Sequence, residues 1–158
     1  MSVARHRFGP QFVVHVAVAS ETAIRAGDAL YLHEGEARPA SSFTWDDNLA
    51  ATRASFNDQF LGIALADHPA DSGDESLFPV DISPLAVYEM DCVVEPHEVG
   101  ATLGPRQGDG ETLDPSTLEV AAAAGSSFRC VRRSPAGGPT VYVRMQSAYW
   151  GVNDAARQ

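Results

Sequence analysis

The sequence predicts a mainly β fold: a small β-barrel or β-tulip-like domain built from two related strand–turn–strand halves, with one short helix. Three observations carry this. Apolar residues alternate over residues 12–18 and 85–94, the period of strands with one buried face. Glycine turns follow both stretches, at Ala26-Gly27-Asp28 and at Val99-Gly100-Ala101. The same order of segments then occurs twice: Ile24 to Leu30 leads to Phe60-Leu61-Gly62-Ile63-Ala64-Leu65, and Val99 to Gly104 leads to Phe128-Arg129-Cys130-Val131-Arg132.

Taken in order, residues 1–10 read as an N-terminal arm, since Gly9-Pro10 breaks the pattern just before the first strand. Arg5, His6, Arg7 and Phe8 give it a basic, partly apolar character without a core pattern. Residues 11–148 read as one β-barrel domain, with halves at about 11–82 and 83–148, and residues 149–158 as a C-terminal tail. After the first strand, Ser20-Glu21-Thr22 marks a turn, and glycine at position 27 permits a tight bend. Residues 29–33 alternate as a strand that Glu34-Gly35-Glu36 turns back. Between residues 44 and 56 the period changes. Asp46 or Asp47 is expected to cap a short helix, with Leu49, Thr52, Arg53 and Phe56 at helical spacing. Pro79, within residues 77–82, suggests an edge strand or a strand start. The second half closes with strands at 128–132 and 141–145.

Composition excludes several classes of function. The chain has 158 residues, with 11 basic against 21 acidic residues and a formal net charge of −10; every basic residue is arginine. Without lysine there is no Schiff base and no Walker A loop. The absence fits GC-rich coding, or a salt-adapted host. An acidic surface repels phosphate backbones and anionic lipid, so neither nucleic acid nor membrane is an expected partner. The sequence contains no apolar run of 18 residues and no secretory h-region, and production in a cytoplasm is expected. Cys92 and Cys130 are expected as buried thiols, two cysteines defining no disulfide framework.

The chemically suggestive motifs each have a plainer reading. Asp71-Ser72-Gly73 matches the aspartic-protease tripeptide, but Pro69 and Asp74-Glu75 place it in a polar loop rather than between buried strands. Gly108-Asp109-Gly110 lacks the third glycine and the helix of a phosphate loop. Cys92, His97 and Cys130 are the nearest metal-ligand candidates, without supporting spacing. Residues 67–75 are acidic but lack the ligand spacing of a calcium loop. His15 reads as a strand histidine, and no Gly-x-Ser-x-Gly elbow exists. No enzyme activity, catalytic residue, metal or cofactor is therefore expected.

Five segments carry a resemblance: Ala26-Gly27-Asp28-Ala29-Leu30, Asn48-Leu49-Ala50-Ala51-Thr52, Phe60-Leu61-Gly62-Ile63-Ala64, Tyr88-Glu89-Met90-Asp91-Cys92 and Glu98-Val99-Gly100-Ala101-Thr102-Leu103-Gly104-Pro105. Together the chain resembles, over residues 12–146, the head decoration or capsid cement proteins of tailed bacteriophages. The resemblance implies a β-barrel or β-tulip protein on the capsid exterior of a virion, a homotrimer at threefold positions, and the major capsid protein as partner. It also implies that residues 1–10, with Arg5, His6, Arg7 and Phe8, form a capsid-binding arm. Trp45, Tyr149 and Trp150 are then expected as subunit or partner interface anchors. The alternatives are a trimeric β module of another virion part, or a carbohydrate-binding surface domain stacking sugars on those aromatics. A hydrolase using the acidic loops is less favoured.

Overall fold

The computed structural model describes residues 3–71, 77–135 and 137–150. Among these, eleven strands form two antiparallel sheets with one α-helix. The strands are β1 (Arg5–Phe8), β2 (Val13–Val16), β3 (Ala29–His33), β4 (Glu36–Pro39), β5 (Phe60–Ala64), β6 (Phe78–Asp81), β7 (Val87–Asp91), β8 (Thr102–Gln107), β9 (Leu113–Val120), β10 (Phe128–Cys130) and β11 (Thr140–Met145); helix α1 spans Leu49–Gln59. The first sheet runs β2-β6-β5-β3-β4 and the second β1-β7-β11-β10-β8-β9. Set β1 aside, and the two strand orders are the same when β2 to β6 are matched with β7 to β11.

Hydrogen bonds repeat with the topology. Gly27 and Gly100 both take positive φ, +93° and +94°, which a side chain would strain. The Gly27 amide donates to the Ala64 carbonyl at 2.8 Å, and the Gly100 amide to the Cys130 carbonyl at 2.8 Å. In return the Ala64 amide donates to Asp28 and the Cys130 amide to Ala101, each at 2.9 Å. The segments that look alike in sequence are thus the corners of one supersecondary unit made twice.

The sheets do not close into the single barrel that the sequence reading expects. Each instead curls on itself at one parallel bridge: Ala17, just after β2, meets Glu36 of β4 in the first, and Cys92, just after β7, meets Leu118 of β9 in the second. The physical reason lies at β7. Its outer edge is already paired with β1, through Arg5 opposite Glu89, His6 opposite Tyr88 and Phe8 opposite Val87, so no strand of the first sheet can join there.

Both halves nevertheless share a core. One apolar cluster joins Ala29, Tyr31, Phe43, Phe56, Phe60 and Ile63 of the first half to Tyr88, Met90, Leu103, Phe128, Val143 and Met145 of the second. Aromatic rings step across it at centroid distances of 4.9 Å (Tyr31–Phe43), 5.5 Å (Phe43–Phe56), 5.6 Å (Phe56–Phe60) and 5.3 Å (Phe60–Phe128). Such pairs contribute about 0.5–1.5 kcal/mol each beyond area burial. A second cluster, including Ile24, Leu30, Leu61, Phe78 and Val80, lies wholly within the first half.

Helix α1 begins later than its acidic residues suggest. Asn48 is the N-cap, its side chain accepting from the Ala51 amide at 2.9 Å, while the Asp46 amide donates to Thr52 Oγ1 at 2.9 Å. Thr52, Arg53 and Phe56 are its buried residues. Arg53 reaches into the second half, donating to the Pro105 carbonyl at 2.8 Å and pairing with Glu119. Pro79 stands near the start of β6, which is an internal strand between β2 and β5.

Candidate partner-binding surface

The residues expected to form an arm lie along β7. Arg5 Nε donates to Glu89 Oε1 at 3.3 Å and Arg5 NH2 to Asp91 at 3.5 Å; Arg7 also pairs with Glu89. These bonds, the one from Arg7 first, hold the Glu89 carboxyl below its usual range. The Glu89 bond correspondingly raises the Arg7 guanidinium. The His6 ring meets the Tyr88 ring edge-on at 5.5 Å, and its Nε2 lies 3.0 Å from the Gly9 carbonyl. Phe8 is exposed, with its ring 6.5 Å from that of Tyr142. Gly9 fixes the exit from β1: at φ +87°, its backbone passes so close to Leu85 that an added Cβ would sit 2.1 Å from the Leu85 oxygen.

The three aromatic anchors fall in different settings. Trp45 is half-buried against the shared core. Trp150 is 37% exposed and meets Phe12, 52% exposed, edge-on at 5.3 Å, and Tyr149 stands beside it in the chain. Burial raises the Tyr149 hydroxyl. Phe12 and Trp150 therefore form an exposed aromatic pair at the start of β2. The tail beyond Trp150 lies outside the described residues.

The other sequence candidates do not assemble into a reactive site. Cys92 and Cys130 are free and buried, their thiols donating to the carbonyls of Gly138 at 3.5 Å and Arg132 at 3.2 Å. Burial pushes the Cys92 thiol up to about 11 and raises Cys130 as well. His97 is buried with no partner on either ring nitrogen among the described residues. Among the described residues, no group of three or more His, Cys, Asp and Glu side chains could hold a metal ion. In the acidic loop Asp67 accepts from the Ala26 amide at 2.8 Å and Asp71 takes φ +62°. Residues 72–76, with most of the protease-like tripeptide, lie outside the described residues. His15 is an exposed residue of β2, and Gly108-Asp109-Gly110 forms the tip of the β8–β9 hairpin.

A groove of about 760 Å³ runs between the turn at residues 23–29 and the β8–β9 hairpin. Two of its carboxylates are bound locally. Burial raises Asp28, which accepts from the Arg25 amide at 2.8 Å. Burial also pushes Asp114 up, but hydrogen bonds from Ser116 and Arg106 outweigh it and leave the carboxyl low.

A basic face on the second sheet was not among the sequence candidates. Arg129 and Arg144 are direct partners across β10 and β11, both exposed, while Phe128, Cys130, Val143 and Met145 beside them are buried. Neither side chain makes a hydrogen bond or ion pair among the described residues. Tyr142 alternates with the same buried residues and carries the Arg132 guanidinium 5.0 Å from its ring centroid. The signal was in the sequence: arginine at outward positions of two neighbouring strands in an otherwise acidic chain.

A scan of family models and a search of curated proteins give no match. Among solved structures, the chain is similar to the head fiber gp8.5 N base of bacteriophage phi29. The identity is 17%, the TM-score 0.43, and the alignment covers 85% of this chain and 95% of that one.

Proposed function

We propose that the protein is a structural component of a phage virion, sitting on the outside of the capsid and stabilising the shell, with the major capsid protein as partner and three copies acting together. The observation that supports this best is the character of the exposed surface. It offers an aromatic pair at Phe12 and Trp150 beside a strand bearing Arg5, Arg7 and Phe8, which is suited to broad contact with a protein surface. The sequence resemblance points the same way, and two of its segments, Ala26-Gly27-Asp28-Ala29-Leu30 and the one around Gly100, form the repeated corners of the two sheets. Linked weak contacts from several copies would hold a shell more firmly than one copy could.

Co-sedimentation with empty expanded capsids tests the reading. Saturable binding and a higher temperature of shell disruption are expected. Failure to sediment with shells, together with hits on a glycan array, would overturn it in favour of carbohydrate binding.

A further inference from the structure

The basic face of the second sheet poses a problem that the fold does not resolve internally. Like charges directly opposite on neighbouring strands destabilise the pair. Arg129 and Arg144 stand so in a chain with 21 acidic residues, and neither is neutralised by a side chain among the described residues. Arg132, on Tyr142, and Arg5 and Arg7, on Glu89, extend the same face. Beside the arginine pair lies an open cleft of about 310 Å³, lined by Pro84 and the exposed Val99, so the face offers apolar contact as well as charge.

Charge is segregated along the chain. Residues 11–82 hold 12 acidic residues against 3 arginines, and one of those, Arg53, is turned inward onto Glu119. Residues 83–148 hold 8 acidic residues against 5 arginines. The larger negative surplus thus sits on the first half, and the facing pair of unneutralised arginines on the second.

We propose that the outer face of the second sheet, centred on Arg129 and Arg144, docks the acidic first half of another copy of this chain. The two surfaces differ, so the contact is head to tail, and it forms a ring where the rotation closes. Complementary charge sets the orientation, and the exposed Val99 supplies apolar contact beside the arginine pair. This rests on the multi-copy reading above and names the surface through which copies meet.

The test is light scattering on the full chain over a concentration series, at low and high salt, for the parent, the Arg129→Glu/Arg144→Glu double variant and the Arg129→Gln/Arg144→Gln double variant. The parent is expected to exceed one chain at low salt and to dissociate as salt screens the contact. Charge reversal is expected to weaken association at least tenfold with melting unchanged, and the glutamine pair to fall between. A parent that stays a single chain throughout, or a reversed variant that assembles as the parent does, overturns the proposal. If that single-chain parent still co-sediments with empty capsids, the capsid reading stands without self-docking. If copies assemble through these arginines but never bind capsids, the reverse holds.

Discussion

His97 stands in the second half where Ile24 stands in the first. The Ile24 amide donates to the His68 carbonyl at 2.8 Å and receives the reciprocal bond at 2.8 Å; His97 exchanges the same two bonds with Ser134, at 3.1 and 2.8 Å. Both side chains are buried, at 2% and 1% exposure, but the imidazole has no partner on either nitrogen among the described residues.

A buried polar group without a partner costs about 1–3 kcal/mol. His97→Ile, which restores the residue of the sister position, is therefore expected to stabilise the fold by about 1–2 kcal/mol. Urea denaturation checks this, and an unchanged or lower midpoint would count against the correspondence.

Asp81 joins the two halves at their boundary. It is fully buried; its Oδ1 accepts from the amides of Phe12 at 3.0 Å and Ser83 at 2.9 Å, and its Oδ2 from the Tyr88 hydroxyl at 2.6 Å. Burial, and then the Asp81 bond, push the Tyr88 hydroxyl well above its ordinary range. Tyr88→Phe is expected to cost about 1–2 kcal/mol and Asp81→Ala about 3 kcal/mol, because the second leaves several buried donors unpaired. Thermal melts of the two variants should rank in that order.

Read from sequence, the arm contributes little to folding, and its removal is expected to be neutral. The structure predicts otherwise: β1 covers the edge of β7, and Ala4 belongs to the shared core. Deleting residues 1–8 is expected to lower stability by about 1–3 kcal/mol, seen as a lower denaturant midpoint with a single transition.

The anchoring of β1 should also depend on pH. The Glu89 carboxyl is lowered in the folded state by Arg7 and Arg5, so its contribution is present above the ordinary carboxylate range and is lost as pH falls through the lowered value. Hydrogen-exchange protection of residues 5–8 should hold from neutral pH down to about pH 5 and fall in stronger acid. Protection that is flat with pH would show that the backbone ladder alone holds the strand.

With both thiols buried and raised, the native protein is expected to resist a thiol reagent at neutral pH and to release two equivalents once unfolded. Fast labelling of the native state would contradict the burial of Cys92 or Cys130.

Strand content, the single helix and the doubled order were legible because they rest on local chemistry. Gly27 and Gly100 mark corners that need positive φ, and the alternation over β7 and β11 names the buried face. Sheet membership was not legible. Arg-His-Arg-Phe carries no alternating apolar pattern, so nothing local says that β1 pairs with a strand eighty residues later, through Glu89, rather than projecting into solvent. The helix start was misplaced because Asp46 and Asp47 are as good at capping as Asn48, and the choice falls to the bond between Thr52 and the Asp46 backbone. For the candidate surface, the sequence named the aromatic pair member Trp150 and the residues of β1. It did not name Arg129 and Arg144, whose juxtaposition arises only when β10 and β11 pair.

The placement of β1 sets an order of events on the ribosome. The second apolar cluster needs only residues up to Ile82, so the first sheet has its own nucleus once those residues have emerged. At that moment β1, made before the other described strands, has no strand to pair with and must wait for β7. The earliest of the described strands is thus among the later ones to be seated, and its docking reports that the second half has arrived.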